Sequence, residues 1–127
     1  VLSDTKTLNF PDNSFDLVFC VEALEHVVQI DAGIRELSRV VASEGQLVVI
    51  DKNKDKLGAL QMPDWEKWFG RDELRQAMAR CGLESTATDV AGDRRMCLHG
   101  LFIQWTGSKA QAAPSLVPDG RFLVGAR

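Results

Sequence analysis

The chain has 127 residues, of which 45% are hydrophobic and 26% charged, and this composition favours one soluble domain with a real core. Its formal net charge of -3 argues against a nucleic-acid-binding or anionic-membrane-binding surface. The longest strongly apolar runs, such as residues 47–50, are far too short to span a bilayer. We therefore expect neither nucleic acid nor a membrane among the partners.

Three widely spaced cysteines, Cys20, Cys81 and Cys97, bear on the redox setting. An odd number at such spacing is not a disulfide framework, which favours a reducing, cytoplasmic location. No C-x-x-C or H-x-x-x-H pair occurs, so the sequence predicts no metal site.

In chain order, the first half predicts a strand end at residues 1–4, a turn-rich loop at 9–14 and a buried strand at 15–21. After a helix, Gly45 permits a turn and residues 46–51 form a second buried strand. Continuous apolar runs of this length are typical of strands in a parallel sheet.

Two helices are predicted from apolar spacing. The first begins near Ile30, and the second runs from Arg71 to Cys81, with Gly82 supplying the stop. The side chains expected to be buried against the sheet are Ile34, Leu37, Val41, Leu74 and Met78.

The last third predicts strands at residues 83–90 and 98–106, which no helix separates, so they should be antiparallel neighbours. Residues 108–127 predict an irregular tail with one short strand at 121–124. The alternation of strands and helices predicts an α/β, three-layer fold with right-handed crossovers.

In such a sheet, ligands bind at the carboxyl ends of the strands. That rule marks three places, residues 3–5, residues 20–22 with 25–26 just beyond, and residues 51–53. We expect Asp4, Cys20 and Glu22 to lie at one edge of the sheet.

Three stretches resemble class I S-adenosylmethionine-dependent methyltransferases. Asp4 followed by residues 8–18, Leu-Asn-Phe-Pro-Asp-Asn-Ser-Phe-Asp-Leu-Val, resembles the family's "gDa…LPFpdnsFDlV" signature. Residues 22–27 are similar to the stretch after the family's fourth strand, and residues 36–49 to its "ElaRvLkpgG.lvi" segment. The resemblance covers most of residues 1–107. It implies part of a Rossmann-like domain, with a mostly parallel sheet that ends in an antiparallel pair and a separate tail from residue 108.

The resemblance also implies methyl transfer from S-adenosylmethionine to a small-molecule acceptor. Asp4 would accept a hydrogen bond from the adenine amino group, although without the resemblance a turn-capping role is favoured. Cys20 fits either a close approach of the cofactor or plain core packing. The implied cofactor-binding residues are Ser3, Asp4, Thr5, Cys20, Val21 and Glu22.

On the acceptor side, His26 is the candidate catalytic residue, a general base for a hydroxyl or amine. The alternative is a surface or capping histidine, because many methyltransferases work by aligning donor and acceptor. An aromatic cluster of Trp65, Trp68 and Phe69 fits either an acceptor pocket or a lid packed on the sheet.

No G-x-G loop occurs in the chain. The family's glycine-rich cofactor loop and its acidic ribose ligand would lie upstream of Val1, so we expect an incomplete or inactive fragment. The alternative from another functional class is a non-catalytic remnant acting as an interaction module, with a homodimer formed through an exposed sheet edge.

We expect the 127-residue chain to bind S-adenosylmethionine weakly or not at all. Adenine contacts through Asp4 and Thr5 supply a few hydrogen bonds of about 0.5–1.5 kcal/mol each, whereas micromolar binding needs about 8 kcal/mol. Calorimetric titration of this chain beside a version extended upstream checks the expectation. Tight binding by the 127-residue chain alone contradicts it.

Overall fold

The structure is a computed structural model that describes residues 7–58, 61, 64–92 and 99–110, with the backbone of 115–116 and 122–123. The strand end predicted at residues 1–4 lies outside the described residues. The elements in chain order are β1 (Phe15–Val21), α1 (Ile30–Val40), β2 (Val41–Lys52), α2 (Arg71–Arg80), β3 (Leu83–Asp89), β4 (Phe102–Lys109), β5 (Ser115–Leu116) and β6 (Phe122–Leu123). Two short 3₁₀ turns, Leu24–His26 and Lys54–Lys56, follow β1 and β2.

The main sheet has the strand order β1-β2-β4-β3. Strands β1 and β2 are parallel, and β4 is antiparallel to both of its neighbours. This arrangement confirms the α/β, Rossmann-like class and the antiparallel strands at the end of the sheet. The described sheet contains one parallel pairing and two antiparallel ones, because β4 returns from β3 without a helix and enters between β2 and β3.

One face of the sheet carries the core. Trp105 of β4 lies beside Val49 of β2, and both are fully buried with the inward side chains of the two helices. The indole N–H of Trp105 donates to the carbonyl of Arg71 at 2.8 Å, so this large ring is buried with its polar atom satisfied. The predicted burial of all five side chains is confirmed for Ile34, Leu37, Val41, Leu74 and Met78.

The opposite face is uncovered in the part of the chain that the structure describes. β1 is an edge strand there, and its outward side chains Leu17, Phe19 and Val21 are 57%, 70% and 49% exposed. Both described helices contribute to the single core cluster on the other face. The third layer of the predicted three-layer fold is therefore not seen among these residues.

The turn predicted at Gly45 lies inside β2, which begins directly after α1. Phe15 pairs with Val41 and Leu17 with Gln46, so the intervening residues of β2 bulge out of the ladder. A Cβ atom on Gly45 would lie 2.8 Å from the Ala42 carbonyl oxygen, which leaves room only for glycine.

The Glu36–Arg39 pair of the family-like segment has a structural role. The Arg39 guanidinium donates to the carbonyls of Leu8 and Phe10 and to the carboxylates of Asp12 and Glu36, at 2.8–3.0 Å. Glu36 also accepts from the Leu8 N–H at 2.9 Å. These contacts fix residues 8–12, the loop that leads into β1, against α1.

Boundaries at the end of the chain differ from the sequence prediction. β3 is found as predicted, whereas β4 begins at Phe102 and ends at Lys109, a few residues later than the predicted strand at 98–106. The two-residue strands β5 and β6 pair with each other, and β6 falls within the short strand predicted at 121–124. The domain boundary near residue 107 stays a prediction.

None of the helices among the described residues combines the length and apolar character needed to cross a membrane.

Truncating the α1 core should destabilise the protein. Leu37 is 6% exposed and packs in the core, so Leu37→Ala should lower the free energy of unfolding by about 2–5 kcal/mol. Leu57 is 64% exposed, and the matched control Leu57→Ala should cost under about 0.5 kcal/mol. Urea denaturation of both variants checks this, and an unchanged midpoint for Leu37→Ala contradicts the packing of α1.

Candidate active site at the carboxyl ends of β1 and β2

The predicted cofactor residues occupy different surroundings. Ser3, Asp4 and Thr5 lie outside the described residues, so their clustering with Cys20 and Glu22 stays a prediction. At the end of β1, Cys20 packs in the core, whereas Val21 and the Glu22 side chain are about half-exposed. Of the three predicted cofactor residues that the structure describes, Val21 and Glu22 are the two with well-exposed side chains.

A sharp turn follows β1. Glu22 has a positive φ of 48°, and its N–H donates to the Ile50 carbonyl of β2 at 2.9 Å. The chain then enters the 3₁₀ turn Leu24–His26, whose Leu24 is fully buried and anchors the turn in the core. This path brings Glu25 and His26 to the carboxyl end of β2.

Lys52, near the end of β2, is the centre of the site. Its ammonium group lies 2.9 and 2.8 Å from the two Glu25 oxygens, 2.9 Å from Glu66 Oε1 and 3.3 Å from Glu22 Oε1. The side chains of Lys52, Glu25 and Glu66 are each less than 5% exposed. Burial alone would lower the pKa of Lys52, but its hydrogen bonds to Glu25, Glu66 and Glu22 hold that pKa above the usual range.

Glu66 reaches the site because the segment around it lies alongside β2. The Phe69 N–H donates to the Lys52 carbonyl at 3.1 Å, and the Lys67 N–H donates to the Glu25 carbonyl at 3.3 Å. Burial would raise the pKa of Glu66, but its hydrogen bond to Lys52 holds that pKa below the usual range. Lys52, Glu25 and Glu66 therefore form a buried, hydrogen-bonded network.

The three aromatic side chains predicted to line an acceptor pocket or to pack as a lid have different surroundings. Trp68 and Phe69 are buried, Phe69 within the main core cluster, whereas Trp65 is 67% exposed. The Trp65 ring lies against His26, with ring centroids 5.2 Å apart and a tilt of 44°. Trp65 is thus the member of the cluster that lies at the site.

His26 is held from two sides. Its Nε2 lies 3.3 Å from Glu25 Oε1, and its side chain remains 47% exposed. The imidazole is therefore accessible to a bound molecule while it contacts a buried carboxylate.

Asp51 is a fully buried carboxyl beside this network. It accepts hydrogen bonds from the backbone N–H groups of Glu25 at 3.2 Å and Lys52 at 3.1 Å. Burial and the nearby Glu25 carboxylate raise the pKa of Asp51 to about 8. Burial, with Asp51 nearby, raises the pKa of the Cys20 thiol to about 11, so Cys20 stays neutral and is a poor nucleophile.

Residues 1–49, which include Glu22, Glu25 and His26, match the family model described as a methyltransferase domain. These residues are similar to the methyltransferase-domain family. Beyond residue 49, the chain shares its fold with part of solved methyltransferase structures.

Over 75 residues the chain is 40% identical to the 2-methyl-6-phytyl-1,4-hydroquinone methyltransferase of Synechocystis sp.. This match covers 59% of this chain and 24% of that protein. Over 51 residues it is 45% identical to a ubiquinone/menaquinone biosynthesis C-methyltransferase of Stenotrophomonas maltophilia. That match covers 40% of this chain and 20% of the relative. A solved SAM-dependent methyltransferase from Thermotoga maritima matches with a TM-score of 0.67 and 17% identity, covering 83% of this chain and 61% of the other. The matched part spans under a quarter of these curated relatives.

Two residues of the candidate site differ in how far the sequence indicated them. Lys52 lies within the strand-end stretch 51–53, which the carboxyl-end rule marks, although nothing there indicated its three carboxylate partners. Glu66 was missed, because no local pattern shows that a loop residue 14 positions later returns to Lys52.

Removing the central cation should destabilise the domain strongly. Lys52→Met leaves two buried carboxylates unpaired and should lower the free energy of unfolding by about 3–5 kcal/mol. The matched control is Lys67→Met, whose exposed pair with Glu73 should contribute less than about 1 kcal/mol. Urea denaturation compares the two, and equal losses contradict the central role of Lys52.

The raised pKa of Asp51 makes stability depend on pH. Below about pH 4 this carboxyl is protonated in the folded and unfolded chains alike. As the pH rises towards 8, only the unfolded chain releases the proton readily, so the free energy of unfolding should fall.

The variant Asp51→Asn should remove most of that decrease, whereas Glu84→Gln, at an exposed position of β3, should keep it. Denaturation midpoints at a series of pH values check this. A decrease that persists unchanged in Asp51→Asn would assign the pH dependence to another group.

Proposed function

We propose that this protein transfers a methyl group from S-adenosylmethionine to a small-molecule acceptor. The single observation that carries the proposal is His26, held by the buried Glu25 and flanked by the exposed Trp65, within the family-matched segment. The curated relatives named above methylate a hydroquinone or act in quinone biosynthesis, according to their names, which supports an acceptor of small, ring-containing type.

We assign the cofactor side to Ser3, Asp4 and Thr5 together with the end of β1. S-adenosylmethionine supplies a methyl group on a positively charged sulfur. Val21 and Glu22 fit an adenosine group, because a half-exposed carboxylate accepts hydrogen bonds from hydroxyl or amino groups beside an apolar contact. Cys20 contributes through its backbone, since its side chain is buried in the core.

On the acceptor side, His26 receives the proton that the acceptor loses as its new bond to the methyl carbon forms. Glu25 stabilises the resulting imidazolium, and Lys52 fixes Glu25 with both of its oxygens held. The exposed ring of Trp65 offers a flat apolar surface on which an aromatic acceptor stacks.

The interaction-module alternative draws on the uncovered face of β1, where Leu17 and Phe19 are exposed. A homodimer through this edge stays a prediction. The methyltransferase family of residues 1–49 and the relatives' names favour the enzyme.

Removing the imidazole tests the proposal. In the longest form of the protein that its gene encodes, His26→Ala should lower kcat for methyl transfer by about 10²–10⁴-fold, because general base catalysis contributes that much. The KM for S-adenosylmethionine should stay unchanged. The assay follows transfer of a labelled methyl group to quinol, phenol and amine acceptors.

The matched control is His99→Ala, which removes the chain's other histidine, an exposed residue in the turn before β4. An unchanged kcat in His26→Ala would show that alignment of donor and acceptor suffices. Absence of methyl transfer by the wild-type protein to every acceptor would reject the proposed function itself.

A further inference from the structure

Three side chains at the site have the chemistry and spacing of metal ligands. One ligand atom each from Glu25, His26 and Glu66 lies within 4.8 Å of the other two. Glu25 and His26 come from the 3₁₀ turn after β1, and Glu66 comes from the segment beside β2. Backbone hydrogen bonds from both elements therefore hold the three ligands together before any ion binds.

One atom of this group is unsatisfied. Glu66 Oε2 is buried and has no hydrogen-bond partner, although the Glu66 side chain is 98% removed from solvent. A buried carboxylate oxygen without a partner carries the full cost of lost hydration. A hydrogen-bond donor or a cation next to this oxygen would therefore stabilise it.

The local charge points to a cation. The three glutamates Glu22, Glu25 and Glu66 surround the single ammonium of Lys52, which leaves two negative charges in excess. One divalent cation would balance this excess. Lys52 already occupies one side of Glu25 and Glu66, and each carboxylate oxygen has a second lone pair for another partner.

We propose that Glu25, His26 and Glu66 bind one divalent first-row transition metal ion of the Mn²⁺ to Zn²⁺ class. An imidazole with two carboxylates suits these ions better than Mg²⁺ or Ca²⁺, which prefer oxygen ligands alone. Lys52 orients both carboxylates through its hydrogen bonds, and the Trp65 ring packs against the imidazole.

This inference stands apart from the proposed function, because metal binding is measured without cofactor or acceptor. A bound ion would take the same imidazole that otherwise receives a proton, so His26 serves as a base only in the metal-free protein. Metal affinity and methyl transfer are therefore separate measurements, and one can fail without the other.

The experiment titrates the metal-free 127-residue chain with Mn²⁺ and follows the free ion by electron paramagnetic resonance, with Zn²⁺ as a competitor. We expect one Mn²⁺ per chain, displaced by Zn²⁺. Glu66→Gln and His26→Ala should each weaken Mn²⁺ binding by at least about tenfold, the scale on which metal sites respond to ligand-sphere changes. Circular dichroism confirms that both variants fold.

Two controls remove the same chemical groups elsewhere. Glu84→Gln and His99→Ala, both at exposed positions, should bind Mn²⁺ as the wild type does. Failure of the wild-type chain to bind Mn²⁺ or Zn²⁺ saturably would overturn the proposal and leave Lys52 as the only cation of the cluster. Binding that survives both site substitutions would overturn it equally, because the ion would then lie elsewhere.

Discussion

The ammonium group of Lys52 is the contact on which the site depends. It joins three segments that are distant in sequence: the turn after β1 through Glu25, β2 itself, and the loop before α2 through Glu66. Burying one positive and two negative side chains costs hydration that only their mutual contacts offset. That cost disfavours other positions of the loop, because a displaced Glu66 would leave a buried charge without its partner.

Two neighbouring features follow from that anchor. Glu25, fixed by Lys52, in turn orients His26, and the loop that carries Glu66 also places Trp65 against the imidazole. Beside this network, burial and then the neighbouring Glu25 carboxylate raise the pKa of Asp51. A single buried cation thus fixes the carboxylate that orients His26.

Sequence patterns predicted the elements better than their arrangement. The helix from Ile30 and the strand from Phe15 follow from short-range periodicity, and the structure confirms both. The insertion of β4 between β2 and β3 depends on pairings such as Val49 with Trp105, which no local pattern encodes. The residues of the site likewise differ in whether local sequence patterns predicted them. Glu25 and His26 were marked by the strand-end rule and the family resemblance, whereas Glu66 reaches Lys52 only through tertiary contacts.

The position of β4 also sets an order of events during synthesis. Gln46 of β2 pairs with Ser108 of β4, so the centre of the sheet joins segments that leave the ribosome far apart in time. Until β4 has emerged, β2 exposes an unpaired edge and β3 has no partner among the described strands. Bringing these distant segments together costs conformational entropy, which slows folding. The sheet therefore forms late. The nascent chain therefore passes through a stage in which the free edge of β2 is open to pairing with other chains, and chaperones would act at that stage.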